Sequence, residues 1–346
     1  MNGRLTAPLL VLAACAGHPR SVYVPGGTGL PVSARRVYRH AVAAARHGEG
    51  ARARQILDRL CTHHPLRLGF HLFRLRVAKE RDGGEAAARL YEPAPPGMHA
   101  ERARVLAGLA RLDEADLAPR RELFLFAISQ EPGEPLWLVG LAGVDLQLAD
   151  RVGRRAQRER ELGSVDRAAS SLVETRRIFD RIEVHLNRAL DLDPDLAEAH
   201  LLLGYLATRR ADLSVRFEEA DDWRHRAEQE YRRAIALDPE SLEAHFNLAE
   251  NHLYFDLSDD AISELTLASR LAPKEARVWR GLGLARYKAG HLDRATKAYR
   301  RAIELDPLDA DVRVALADCL RRSGRGERAT DQLLQARRDA AGDPNL

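Results

Sequence analysis

The sequence predicts an all-α fold made of stacked antiparallel helical hairpins, and three observations support it. The chain is 45% hydrophobic but only 5% aromatic, with alanine, leucine, arginine and glutamate abundant, a composition that favours helices. The phrase YRRAIALDP at 231–239 returns as YRRAIELDP at 299–307. Pro239, Pro273 and Pro307 are spaced by 34 residues, a period typical of arrays of helical hairpins.

The stretch 276–309 shows the repeating unit most clearly. Its characteristic positions are, in chain order, Trp279, Leu282, Gly283, Gly290, Ala295, Tyr299, Ala302 and Pro307. The pattern predicts a first helix that ends at Gly290 and a second helix that ends before Pro307. Small residues let the two helices approach closely, and the larger apolar ones fill the space between neighbouring hairpins. One hairpin cannot cover its own apolar face, so several hairpins must stack.

This pattern resembles the tetratricopeptide repeat position by position, and the resemblance is most specific over 176–341. It implies a right-handed α-solenoid of about eight units. We expect degenerate repeats in 34–134, where 68–100 holds one helix and a weak second one. Residues 135–241 should hold repeats with lengthened hairpins, since extra residues fall near 149–175 and 209–221. Residues 242–346 should hold regular repeats and a C-terminal cap.

The first fifteen residues, MNGRLTAPLLVLAAC, resemble a bacterial lipoprotein signal. One positive residue, Arg4, precedes an apolar run, and LAAC at 12–15 is similar to a lipobox. We therefore expect a signal peptide at 1–14, lipidation of Cys15, and a Gly- and Pro-rich tether at 15–33. Residue 16 is alanine rather than aspartate, which by this resemblance implies an outer-membrane anchor facing the periplasm. The alternative is an N-terminal helix that caps the first repeat and buries Cys15.

Charge and motifs argue against several function classes. The net charge of +3 comes from 54 basic and 51 acidic residues that are interspersed, whereas nucleic-acid binding needs a one-sided basic surface. The sequence lacks GxSxG, HExxH and phosphate-loop motifs. We therefore predict no enzymatic activity, no cofactor, and neither nucleic acid nor a small-molecule substrate as partner.

One cluster, formed by Cys61, His63, His64 and His71, contains residue types that can bind metals. Zinc requires three or four converging ligands, and the usual Cys and His spacings are missing here. We therefore interpret these residues as structural and predict no metal site.

The remaining candidate site is the concave surface lined by the first helices of the repeats. The positions that point into it include Tyr205, Phe246, Glu250, Arg277, Arg280, Leu284, Tyr287 and Asp318. Aromatic, aliphatic and charged residues of both signs suit a helix or extended peptide of another protein. The alternative is that they are ordinary exposed residues.

Together these observations predict a protein–protein interaction scaffold. The expected role is that of an outer-membrane lipoprotein that helps assemble or stabilise a cell-envelope complex of the secretion, pilus or motility type. One alternative is a soluble cytosolic adaptor without a lipid. Another is an envelope enzyme or peptidoglycan-binding module within the weakly repetitive residues 34–134.

Overall fold

The computed structural model describes residues 32–113 and 115–341, and these residues form helices and turns without any strand. The prediction of an all-α fold is confirmed. The described residues divide into two compact units, one within 22–239 and the other within 240–346. The predicted signal peptide and Cys15 lie outside the described residues. None of the described helices is both long enough and apolar enough to cross a membrane.

Ten α-helices belong to the described part of the unit 22–239. They are α1 (Val32–Arg46), α2 (Gly50–His63), α3 (Leu68–Asp82), α4 (Gly84–Ala88), α5 (Ala100–Arg111), α6 (Leu117–Gln130), α7 (Pro135–Glu161), α8 (Val165–Leu192), α9 (Ala197–Leu213) and α10 (Phe217–Leu237). A short 3-10 helix, Arg89–Tyr91, follows α4.

Six α-helices belong to the described part of the second unit, called here the C-terminal unit. They are α11 (Leu242–Tyr254), α12 (Ser258–Leu271), α13 (Ala276–Lys288), α14 (Leu292–Leu305), α15 (Ala310–Arg322) and α16 (Gly326–Ala341).

Consecutive helices pack as hairpins, from α1 with α2 to α15 with α16. The described residues therefore hold eight hairpins, in agreement with the predicted number of units. The second hairpin has the shortest second helix, because that helix is only the five-residue α4 followed by the 3-10 turn. The described residues of 34–134 are helical, so a separate non-helical module in this stretch is not favoured.

The first helices of three successive hairpins end in the same backbone geometry. Asp256, Gly290 and Gly324 each have a positive φ, of 57°, 78° and 74° respectively, and they are 34 residues apart. A left-handed residue after the last helical turn ends a helix and reverses the chain, which glycine does at the lowest cost. Asparagine and aspartate are the residues that next most readily adopt this conformation. The repeat period is thus visible in the backbone itself.

The recurring YRRAI phrase fixes the distance between the two helices of a hairpin. The ring of Tyr231 lies against Gly204, and the ring of Tyr299 lies against Gly283. A Cβ atom at Gly204 would come within 2.6 Å of the Tyr231 ring, and one at Gly283 within 2.5 Å of the Tyr299 ring. Both tyrosines are fully buried. Glycine is required because the ring occupies the place of a side chain.

The extra residues of 135–196 lengthen both helices of one hairpin. Helix α7 has 27 residues and α8 has 28, and they meet in a short turn around Gly163. Pro135 occupies the first turn of α7, where proline is tolerated because its missing N–H would have no helical partner. Pro119, a poor fit to the repeat pattern, lies in the first turn of α6 for the same reason.

A buried carboxylate connects this long hairpin to its neighbour. Asp145 on α7 is 0% exposed. Its carboxylate accepts hydrogen bonds from Arg121 Nε on α6 at 3.0 Å and from Arg181 Nε on α8 at 2.9 Å. A buried charge of this kind is tolerated only when it is paired and fully hydrogen-bonded. Asp145 therefore holds three helices in one register.

Candidate functional site

The described C-terminal unit presents a surface formed by the first helices α13 and α15. Arg280, Leu284 and Tyr287 follow one another at spacings of four and three residues on α13, so they share one side of that helix. Val314 and Asp318 occupy the corresponding positions on α15, 34 residues after Arg280 and Leu284. We call these five residues the α13–α15 face.

At one end of the α13–α15 face, the Asp318 carboxylate is held in place by neighbouring side chains. The Tyr287 hydroxyl donates a hydrogen bond to the Asp318 carboxylate, and Arg321 donates to the same group. The hydrogen bond from Tyr287 and that from Arg321 lower the pKa of Asp318, so this carboxylate is ionised at neutral pH. The Arg322 guanidinium lies 4.7 Å from the centre of the Tyr287 ring. The positions of Tyr287 and Asp318 are thus set before any partner binds.

Two exposed aliphatic side chains accompany these charges. Leu284 is 41% exposed and Val314 is 49% exposed. At the other end of α13, Arg280 Nη1 lies 3.4 Å from a carboxylate oxygen of Asp309, and both side chains remain partly accessible. The face therefore combines apolar area with an ion pair at each end, Arg280 with Asp309 and Arg321 with Asp318. Such a surface offers an apolar anchor and polar groups that fix orientation.

The structure does not present Phe246 as an exposed anchor. Its side chain is only 5% exposed and belongs to the core of the C-terminal unit. The ring lies beside Gly281, where a Cβ would be at an ordinary contact distance of 3.5 Å. The Arg277 guanidinium covers the ring at 4.8 Å. Sequence position alone indicated a groove residue, but packing within the C-terminal unit makes Phe246 a core residue.

Arg277 is held by carboxylates on the same side of the unit. Its guanidinium donates to Glu243 at 2.5 Å and to Glu275 at 3.2 Å. Burial by itself would lower the pKa of Arg277, but the two carboxylates, Glu243 foremost, raise it above its ordinary value. Arg277 therefore mainly shields the ring of Phe246 from solvent.

The other two predicted groove residues, Glu250 and Tyr205, are not part of the α13–α15 face. Glu250 is half-buried on α11. Tyr205 belongs to the unit 22–239, where its hydroxyl donates to Asp150 at 3.1 Å and the Arg209 guanidinium lies 5.6 Å from its ring. Arg322 was not predicted as a site residue, because it occupies no groove position of the repeat. Its position four residues after Asp318 puts the two side chains next to each other on α15, and this spacing could have indicated their proximity.

The cluster of Cys61, His63, His64 and His71, interpreted above as structural, does not converge into a metal site. His71 donates from Nε2 to the Pro65 carbonyl at 3.0 Å, and its Nδ1 is buried without a partner. Burial lowers the pKa of His71 to about 4 and raises the pKa of the Cys61 thiol to about 12. The ring of His64 packs against Phe70 instead. Across 32–113 and 115–341, no group of three or more His, Cys, Asp or Glu side chains could hold a metal ion.

Several solved structures are similar to this chain. The crystal structure of MamA is 22% identical over 50% of this chain and 94% of its own, with a TM-score of 0.43. That of YrrB, described as a TPR protein with an unusual peptide-binding site, is 17% identical over 62% and 91%, with a TM-score of 0.45. TTC0263, a thermophilic TPR protein of Thermus thermophilus, is 18% identical over 64% and 99%, with a TM-score of 0.47.

Sequence comparison agrees with the position of the clearest repeats. No curated protein matches the chain. Residues 280–344 match the tetratricopeptide repeat family, and this segment includes α14, α15 and α16 together with most of α13. The fold of the described residues is all-α and built of helical hairpins, and the match to the tetratricopeptide repeat family covers residues 280–344.

Proposed function

We propose that the chain is a non-enzymatic scaffold that binds another protein through the α13–α15 face. The observation that carries this proposal is the pair Leu284 and Val314, which expose aliphatic surface beside charges that are already held in position. An exposed apolar group surrounded by oriented polar groups is a common arrangement for a recognition surface. The repeats over 280–344 support the same reading, since helical hairpin arrays offer extended binding surfaces.

The geometry favours a partner segment with one apolar anchor. Leu284 and Val314 would contact that anchor, while Arg280 would attract an acidic residue on one side of it. Asp318, whose side chain is 33% exposed beside Arg321, would accept a hydrogen bond from the partner on the other side. A helix or an extended peptide can supply residues in this order. Electrostatic complementarity would then set the direction in which the segment binds.

The test is capture of partners from crosslinked cells, with identification by mass spectrometry. The face variant carries Leu284→Ser and Val314→Ser, and the matched control carries Leu308→Ser and Val184→Ser. The control residues are 78% and 65% exposed and lie outside the face. The proposal expects one protein that the wild type and the control capture and the face variant loses. Equal capture by the face variant would show that binding lies elsewhere.

We further propose that the scaffold is an outer-membrane lipoprotein serving a cell-envelope complex. The support is the lipobox-like LAAC at 12–15 after a short apolar run with one preceding positive charge. Replacing Cys15 by alanine should abolish the incorporation of radiolabelled palmitate. The alternative of a cytosolic adaptor expects no palmitate incorporation in the unaltered chain either.

A further inference from the structure

Exposed apolar side chains concentrate at two turns of the unit 22–239. Leu162 and Val165 flank the turn between α7 and α8 and are 81% and 70% exposed. Val215 and Phe217 flank the turn between α9 and α10 and are 90% and 84% exposed. Among the other described large hydrophobic residues, Leu308 and Val184 are the most exposed, at 78% and 65%. We call these four residues the tip edge.

The two turns lie on the same side of the unit. Helix α9 packs against α7 and α8, and Arg209 near the end of α9 donates to Asp150 on α7 at 2.6 Å. At 1.5 Å per residue, the α7 turn lies about 18 Å beyond this contact and the α9 turn about 8 Å beyond it. Both turns therefore project outward, one about 10 Å further than the other.

The longer hairpin is strongly basic near its end. Residues 151–167 contain six arginines and three acidic residues. Arg155 is neutralised by Glu174 at 2.6 Å. Four other arginines are exposed and have no carboxylate within salt-bridge distance among the described residues: Arg154, Arg158, Arg160 and Arg167. Arg154 and Arg158 are four residues apart, so they form a stripe on α7 that leads towards Leu162.

We propose that the tip edge and this arginine stripe dock on an anionic membrane surface. Arginine binds phosphate groups through a planar fork of donors, and basic residues near an anionic bilayer each add to binding. The apolar side chains sit on convex turns rather than in a groove. That shape suits shallow insertion between lipid headgroups, with the arginines at headgroup level. A protein partner would instead require a well-packed interface around the anchor residues.

This inference goes beyond the proposed scaffold function and does not depend on it. The docking surface belongs to the unit 22–239, whereas the α13–α15 face belongs to the C-terminal unit. It is also independent of lipidation, and the experiment separates the two by using the full chain with Cys15→Ala. Cosedimentation is measured with vesicles of phosphatidylcholine mixed with phosphatidylglycerol, and with vesicles of phosphatidylcholine alone.

The first pair of variants tests the charge. Arg154→Gln with Arg158→Gln should weaken binding to the anionic vesicles by about 25-fold, since each arginine contributes about fivefold. Arg300→Gln with Arg328→Gln makes the same change in net charge at exposed positions in the C-terminal unit and should leave binding within about twofold. Equal effects of the two pairs would mean non-specific attraction and would overturn the proposal.

The second pair tests the apolar contact. Leu162→Ser with Val165→Ser should weaken binding at least about tenfold, while the control Val184→Ser with Leu308→Ser should not. Failure of the Cys15→Ala chain to sediment with anionic vesicles would also overturn the proposal and favour an acidic protein as the partner of the stripe. Equal binding to both vesicle types would exclude headgroup charge as the recognised feature.

Discussion

The contact between Gly283 and Tyr299 leads to a quantitative prediction about Gly283→Ala. The new Cβ would lie 2.5 Å from Cδ1 and 2.6 Å from Cε1 of the tyrosine ring, whereas carbon atoms in contact are normally about 3.5–4.0 Å apart. The ring would have to retreat by about 1 Å. Tyr299 is only 2% exposed and packs in the core with α15. The strain must therefore spread into the next hairpin.

The expected loss of stability follows from two opposing effects. Overpacking of a full core costs about 1–3 kcal/mol. Replacing glycine by alanine inside a helix contributes about 0.8–1 kcal/mol of stability. The net expectation is a decrease of about 0–2 kcal/mol, centred near about 1 kcal/mol, in the free energy of unfolding. Denaturant unfolding followed by circular dichroism measures this difference.

A matched control and a double variant test whether the contact with the Tyr299 ring causes the loss of stability. Gly153 in α7 has no atom within 4 Å of its ideal Cβ position, so Gly153→Ala should be neutral or stabilise the protein by up to about 1 kcal/mol. In a Tyr299→Leu background the ring is absent, and Gly283→Ala should cost far less than in the wild type. If the cost is the same in both backgrounds, the ring contact is not the cause.

Three further predictions concern buried polar groups. Asp145→Asn should destabilise the protein by about 3 kcal/mol in denaturant unfolding, whereas the control Asp180→Asn, at a side chain 73% exposed, should cost less than about 1 kcal/mol; equal costs would refute the role of burial. Burial lowers the pKa of His71 to about 4, so the folded protein disfavours the protonated side chain. About 3 kcal/mol of the free energy of unfolding is therefore present above pH 6.5 and is lost as the pH falls from 6.5 towards 4. His71→Asn should flatten unfolding stability across that range, and an unchanged slope would contradict the assignment. The pKa of Cys61 is raised to about 12 by burial, so a thiol reagent at pH 8 should modify it in the Cys15→Ala chain only after unfolding; rapid modification of the folded protein would refute this.

Much of the fold was predictable because the same pattern of small and large residues recurs in several repeats. The positions of Gly204 and Gly283, each facing a tyrosine of the YRRAI phrase, could be read from spacing alone. The weak second helix within 68–100 was also predictable, since EPAPPG follows it closely. Pro119 departs from the repeat pattern, yet it fits the structure because α6 begins at Leu117 and places this proline in the first helical turn.

The candidate site was predictable only in part. Helical spacing puts Arg280, Leu284 and Tyr287 on one side of α13, because the side on which a residue lies depends on the local period. It does not indicate that Phe246 is buried, since that depends on packing with residues of other helices, Arg277 among them. Docking of the tip edge on membranes remains a proposal, and so does the lipid at Cys15.

The sequence by itself determined the class of fold, the period of the hairpins and the face that each first helix presents, because these follow from propensities and spacings within one unit. Only the tertiary structure decided which side chains on that face are accessible. It covered Phe246 with Arg277, bound Tyr287 to Asp318, and buried Asp145 between two arginines. Those outcomes depend on contacts between residues more than 20 positions apart in the chain. The spacing of residues within one helix does not predict such contacts.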